Sequence, residues 1–202
     1  MKIIWLASWY PTQLTPYDGD FIQRHARAAA LYNQIQVIHV IEDRHQCLTS
    51  FYEVEERKDG NLTETIVSFK TNYKIIFLEK LAGNYYYKKY NRRIIQEYIK
   101  QYGKPELIHV HVPVKAGRIA LWANKKFNIP FVVTEHWAIY NNIVPDRYEN
   151  RKFWFKYLTK QIIKKCQLLL PVSKNLGNSI NQLVTEKNYV VVPNSVDTSC
   201  FN

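Results

Sequence analysis

The sequence predicts an α/β fold: a Rossmann-like, mainly parallel, doubly wound sheet flanked by helices, with a β-hairpin inserted near residues 51–69. Three observations predict it. Short apolar runs alternate with segments of helical period along the 202 residues, the pattern of strands joined by crossover helices. Between Glu106 and Tyr140 two such runs, ELIHVHVP and PFVVTEHW, flank the helix-like KAGRIALWANKKFN, and each closes on a histidine, His111 or His136. Alternating runs around Asp59-Gly60 carry a hairpin signal.

Each element has its own warrant. Lys2 to Ala7 is a compact apolar run, SWYPTQLTPYDGD holds two Pro and a Gly, and FIQRHARAAALY places apolar residues at helical spacing: strand, long loop, helix. Ile35 to Ile41 reads as a second buried strand, followed by the hairpin. Residues 78–102 form one helix, or two broken near Gly83-Asn84, ending before Gly103 and Pro105. After the strand–helix–strand unit, Asp146 to Lys165 is amphipathic and helical, and Gln167 to Val172 is a buried strand. Ser173 to Val184 is a helix with Ser173 as N-cap. Asn188 to Val192 makes a last strand, closed by PNSVD. There is no internal repeat.

Composition narrows the class. With 47% hydrophobic residues the chain buries a full core, and one domain over residues 1–202 fits better than two small ones. The formal charge of +11 favours an anionic partner: nucleic acid, an anionic membrane surface or a phosphorylated substrate. Cys47, Cys166 and Cys200 are odd in number and widely spaced, which fits a reducing cytoplasm. Residues 1–9 carry two Trp and no small-residue cleavage site, so they read as a first strand and not as a leader. No run approaches the ~20 apolar residues that span a bilayer, so any membrane contact is peripheral.

Three constellations could carry chemistry. The loop Trp9–Asp20 joins the first strand to its helix; Gly19 permits close backbone approach and the helix start offers free N–H groups to an anion, whereas Asp18 and Asp20 repel one. The alternative is an ordinary loop with a capping Asp. His109 and His111 share one strand face and His136 ends a neighbouring strand, yet no carboxylate or Cys completes a zinc set, so no metal is expected. A neutral imidazole at His136 suits a hydrogen bond to a sugar hydroxyl or phosphate, against the alternative of a structural strand-end histidine. Glu135 alternates with it and should face the other way. The third constellation is basic and aromatic. Residues 70–104 hold nine Lys and Arg against Glu79 and Glu97, and RKFWFKYLTKQIIKK repeats the theme. It suits an anionic membrane interface, stacking on single-stranded nucleic acid, or a solvated helix face. No GxSxG elbow, P-loop or HExxH is present, and Ser8, Ser173 and Ser195 have no evident base partner.

WLASWYPTQLTPYDGDFIQRHARAAAL, IHVHVPVKAG, VVTEHWAIY, LLLPVSKNL and VVVPNSVDTSCF resemble, in order and spacing, the amino-terminal half of family-4 retaining glycosyltransferases, which join two Rossmann-like domains in the GT-B fold. The resemblance implies that this domain binds a glycan or lipid-linked acceptor, and that a carboxyl-terminal domain beyond this chain holds the nucleotide-sugar. Residues 1–202 alone should then be inactive. Gly19, flanked by Asp18 and Asp20, matches the loop that approaches the donor, with DGD where many members have paired glycines. His136 matches the histidine that lies against the transferring sugar. His111, with Tyr10 and Trp137, falls on the acceptor side. Asn194, Ser195 and Asp197 match the interdomain hinge, Ser195 replacing its usual glycine.

The implied chemistry is retaining transfer in which the leaving diphosphate takes the acceptor proton, with the nucleotide-sugar as co-substrate and no cofactor or dedicated metal. The implied setting is surface polysaccharide or glycolipid synthesis, cytoplasmic or peripheral on the inner face of the plasma membrane, with no nucleic-acid partner. The competing reading is a non-catalytic module that binds a glycan or an anionic lipid.

Overall fold

A computed structural model describes residues 1–141 and 144–194. Strands β1 (Lys2–Ala7), β2 (Gln34–Glu42), β3 (Tyr52–Asp59), β4 (Leu62–Phe69), β5 (Leu107–His111), β6 (Phe131–Glu135) and β7 (Leu169–Pro171) form one sheet in the order β3-β4-β2-β1-β5-β6-β7. Every pairing is parallel except β3 with β4, the predicted hairpin. The helices are α1 (Asp20–Ala30), α2 (Ile76–Tyr102), α3 (Pro113–Phe127), α4 (Phe153–Lys165) and α5 (Lys174–Leu183). The Rossmann-like, doubly wound sheet expected from the sequence is the observed one.

The alternation of side chains along each strand divides the interior in two. Ile4, Leu6, Ile108, Val110 and Val133 point into a large apolar core closed by α2, α3, α4 and α5. Trp5, Ala7, Ile35 and Val37 point into a smaller core closed by α1 through Ile22 and Ala26. A fully buried side chain such as Phe131 contributes about 1.5–3 kcal/mol through area removed from water.

Strand order reverses at β1, which pairs with β2 on one side and β5 on the other. In sheets of this kind ligands bind beyond the carboxyl ends of the strands at that reversal. Register aligns those ends: Ala7 lies opposite His111, His111 opposite Thr134, and Glu135 opposite Pro171. The loops after β1, β5 and β6 therefore converge on one edge.

One open choice is settled and two expectations are corrected. The long helix α2 is continuous through Gly83, because that glycine sits against the Glu42 carboxylate where a Cβ would collide. It marks a close contact, not a break. Helix α4 begins at Phe153 and not at Asp146; the intervening chain makes a 3₁₀ turn at Tyr148–Asn150 and an extended Arg151-Lys152, with Arg151 ion-paired to Asp146. Residues 188–192 do not make a regular strand: Tyr189 forms a single parallel bridge to Leu169, since β7 offers only three residues to pair with. Ser173 is the expected N-cap, its Oγ accepting the Leu176 N–H at 3.2 Å.

Candidate active site

At the converging edge the chain must turn sharply from β5 into α3, and it does so through Val112 at φ 61°. A β-branched residue is strained there and persists only when its surroundings hold it. They do: Ser8 Oγ donates to the Val112 carbonyl at 2.6 Å and accepts the Ala116 N–H, while the Val112 N–H donates to Thr134 O. Ser8 thus serves the backbone, which explains why it has no base partner.

The histidines form a column on the α1 face. Trp5 lies 4.3 Å from His111 between ring centroids, His109 lies 4.1 Å from His111, and His111 stacks at 15° on His136 with Nδ1 and Nε2 3.5 Å apart. His109 Nε2 meets Thr134 Oγ1 at 2.6 Å. Burial pushes His109 down to about 3 and His136 down to about 4, with neighbouring imidazoles adding to the effect; the Asn194 side chain, hydrogen-bonded to His136, opposes it. The column is therefore neutral at physiological pH. Among the described residues no three His, Cys, Asp or Glu side chains converge to hold a metal ion.

Glu135 is the residue the sequence reading missed. Its side chain does leave the face of His136, as alternation required, and it is wholly buried. Its Oε1 then accepts the backbone N–H groups of both His136 and Trp137 at 2.9 Å, and Tyr140 donates its hydroxyl to Oε2 at 3.1 Å. Burial raises Glu135 to about 7 in spite of those donors. A carboxylate ending an apolar strand was the available signal, because a buried acid must find partners.

The remaining predicted residues separate into two groups. His136, half-buried between His111, Phe21 at 4.7 Å and His25, and Trp137, T-shaped to Trp9 at 5.8 Å and under the Arg151 guanidinium at 4.9 Å, line the edge. Trp9 and Arg151 join them without having been predicted. His111 is 1% exposed and reaches the edge only through the ring of His136. Tyr10 does not line the site: its side chain is fully buried and its hydroxyl is bonded to Glu64, which also accepts from Gln23 at 2.9 Å.

Gly19 is required by its own loop. At φ 68° an added Cβ would lie 2.6 Å from the carbonyl carbon and oxygen of Trp9. Gly19 itself, not Asp20, is the N-cap of α1, while Asp20 pairs with Arg24 at 3.2 Å and Asp18 is exposed. Thr12 Oγ1 accepts the N–H groups of Leu14 and Thr15 and so shapes the same loop. Asn194 is placed beside His136; Ser195 and Asp197 lie outside the described residues.

A family model described as glycosyltransferase family 4 matches residues 47–199. The chain belongs to glycosyltransferase family 4. The structural neighbours of this family 4 chain are GT-B glycosyltransferases. They include sucrose-phosphate synthase from Thermosynechococcus elongatus, at TM-score 0.66 and 12% identity, covering 98% of this chain and 49% of that one. An E. coli structure described as trehalose-6-phosphate bound with UDP-2-fluoro glucose follows at TM-score 0.63 and 11% identity, covering 98% and 50%. The α,α-trehalose 6-phosphate synthase from Burkholderia multivorans gives 0.51 and 10%, covering 91% and 43%. The family 4 chain thus spans about half the length of these neighbours or less. No curated protein sequence matches it.

Proposed function

We propose that this chain is the acceptor-binding half of a retaining glycosyltransferase that moves a sugar from a nucleoside-diphosphate sugar to a glycan or lipid-linked acceptor in surface polysaccharide or glycolipid synthesis. The observation that carries the reading is His136: a neutral imidazole on the site edge, packed between His111 and Phe21 and fixed at its backbone by Glu135. Such a group offers a positioned hydrogen bond without first losing a proton. On this reading His136 lies against the transferring sugar, Trp137 and Trp9 give its ring an apolar wall, and Gly19 with Asp18 and Asp20 borders the donor.

Retaining transfer on the front face of the sugar lets the leaving diphosphate take the acceptor proton. The chain's own residues then need only orient and exclude water. Charge developing on the diphosphate requires cationic or N–H groups aimed at it. Asp18 and Asp20 cannot supply them, so that work is assigned to a second, nucleotide-sugar-binding domain joined through Asn194, Ser195 and Asp197. Neither a cofactor nor a metal is called for. The setting is the cytoplasm or the inner face of the plasma membrane.

The test is turnover of UDP- and GDP-sugars by the full-length gene product and its His136→Ala variant. Removing one preorganised donor from a desolvated site should lower kcat by roughly 10²–10³ with the melting temperature retained. Sugar or lipid binding without turnover in the wild type would instead establish the non-catalytic module. Unchanged kcat in the variant would remove His136 from the site.

A further inference from the structure

The loop after β1 and the first turns of α1 both reach the edge that holds His136. Trp9 meets Trp137 edge-on at 5.8 Å, and Phe21 lies 4.7 Å from the His136 ring, with His25 at 6.4 Å. The group that ties these two segments down belongs to neither. Glu64 lies on β4, which is separated from β1 by β2, and its side chain is 5% exposed. Its Oε1 accepts from the hydroxyl of Tyr10, one residue after Trp9, and from Nε2 of Gln23, two residues after Phe21, the latter at 2.9 Å. The hairpin register places Arg57 of β3 directly opposite Glu64. Arg57 Nη1 lies 4.0 Å from Glu64 Oε2 and donates to the Pro11 carbonyl at 3.5 Å, while its Nε is held by Glu55 at 2.6 Å. The loop, α1 and the hairpin therefore meet at one carboxylate.

Stability does not call for an acid at this place. Leu62 and Ile66, two residues to either side on the same strand face, are buried in the small core, and an apolar side chain between them would extend it. Burying a carboxylate there costs free energy that its partners at best offset. What the acid supplies is direction. Apolar contacts tolerate sliding, whereas a hydrogen bond holds its donor to a narrow range of distance and angle. The Tyr10 hydroxyl is pushed above its ordinary value by burial and by its bond to Glu64, so it remains a donor. The Tyr10 side chain is fully buried, so fixing its hydroxyl fixes the backbone of Trp9 and Tyr10. Gly19 packs on that same backbone: an added Cβ would lie 2.6 Å from the Trp9 carbonyl and 2.9 Å from the Tyr10 nitrogen. Gly19 in turn accepts the Gln23 N–H at 3.3 Å, which closes the network.

We propose that Glu64 is a positioning residue for the edge: through Tyr10 and Gln23 it sets where Trp9 and Phe21 stand against Trp137 and His136. It acts only through these side chains. Any effect on sugar transfer rests on the glycosyltransferase reading, whereas the placement of Trp9 stands on the hydrogen bonds alone.

Near-ultraviolet circular dichroism of the full-length gene product tests the placement without any turnover assay, the band lost in Trp9→Phe serving as the Trp9 signal. Tyr10→Phe removes one oxygen and keeps the ring; Glu64→Leu removes the acceptor. Each should lower the Trp9 band by about half or more at temperatures where the variant is folded, because the signal of an aromatic pair follows its geometry. Glu64→Gln keeps an acceptor oxygen and should retain the band. Combining Tyr10→Phe with Glu64→Leu should lower it no further than Glu64→Leu alone. An unchanged Trp9 band in Tyr10→Phe would overturn the proposal whatever the melting temperature, since a purely stabilising acid moves stability and not the surroundings of Trp9. So would losses that add in the double variant, which would make the two residues independent. Where the wild type transfers sugar, Tyr10→Phe should lower kcat roughly 10-fold through the misplaced edge, and full kcat would likewise overturn the proposal. A Trp9 band that falls as expected in a protein without sugar transfer would leave the positioning standing and refute only the enzymatic reading.

Discussion

On the face covered by α2 to α5, residues Ile4, Leu6, Ile108, Val110 and Val133 join one apolar core, whereas on the α1 face the alternate positions of the same strands are Trp5, His109, His111 and Thr134. The strands are shared and the backbone hydrogen bonds are shared. The difference lies in what a buried imidazole demands: each histidine needs a partner and must remain neutral. One face holds the fold together, and the other spends burial on keeping polar rings in fixed positions next to the edge.

Acid offers the largest break of that comparison. His39, His109 and His136 are depressed to about 4, 3 and 4 by burial, from an ordinary value of 6.5. Below 6.5 the unfolded chain binds protons that the folded chain refuses, so stability falls as pH drops, each ring contributing about 1.4 kcal/mol per pH unit. Glu135 acts oppositely: raised to about 7, it is protonated in the folded chain while unfolded Glu is ionised, so its contribution is present below 4.5 and is lost as pH rises through 7. Between pH 5 and 6 these four groups together should give a slope of roughly 3 kcal/mol per unit, His111, pushed well below its ordinary value by burial, adds to it in the same direction, and Glu135→Gln should steepen it by about 1.4. Urea midpoints across that range check both; a flat profile would place the histidines in a wetter interior than the structure describes.

On the apolar face, Phe131→Ala should lower stability by about 3–5 kcal/mol through lost burial and the cavity left behind, measured by urea denaturation at pH 7. Its pH slope should match wild type, because it touches the other core. The smallest effect belongs to the loop over the α1 face. Gly19→Ala places a Cβ in the left-handed region against Trp9 and should cost at least about 1–2 kcal/mol from handedness alone. A loss below that would show that the loop relaxes without disturbing β1.

Much of this architecture is legible along the chain because it is local. The apolar runs of β1, β2, β5 and β6, the Asp59-Gly60 turn and the Ser173 cap each declare themselves within a few residues. The spacing of His109 and His111 on one face, and the edge position of His136, follow from the two-residue period of a strand. What escaped reading depends on partners distant in sequence. Tyr10 reads as an edge aromatic until Glu64, 54 positions on, takes its hydroxyl into the core. Gly83 leaves one helix or two open until Glu42 is packed against it. Ser8 reads as a spare hydroxyl until the strained Val112, 104 positions away, is brought beside it. Glu135 escaped for another reason: strand alternation gives the direction in which a side chain leaves the backbone, not the path by which its carboxylate returns.

Strand β3 is the antiparallel outer member of the hairpin, and its sequence YEVEERKD carries six charged residues in eight positions. An unpaired strand edge is a template for a second chain, and dense charge of both signs blocks that pairing. Helix α2 begins with Ile75, Ile76 and Phe77 exposed, and a chain with such apolar helix ends faces a solubility problem while it is newly made. Armouring this flank of the sheet keeps stickiness confined to the helix tips, so that copies meeting in solution are kept from pairing along a border where fibres would otherwise begin.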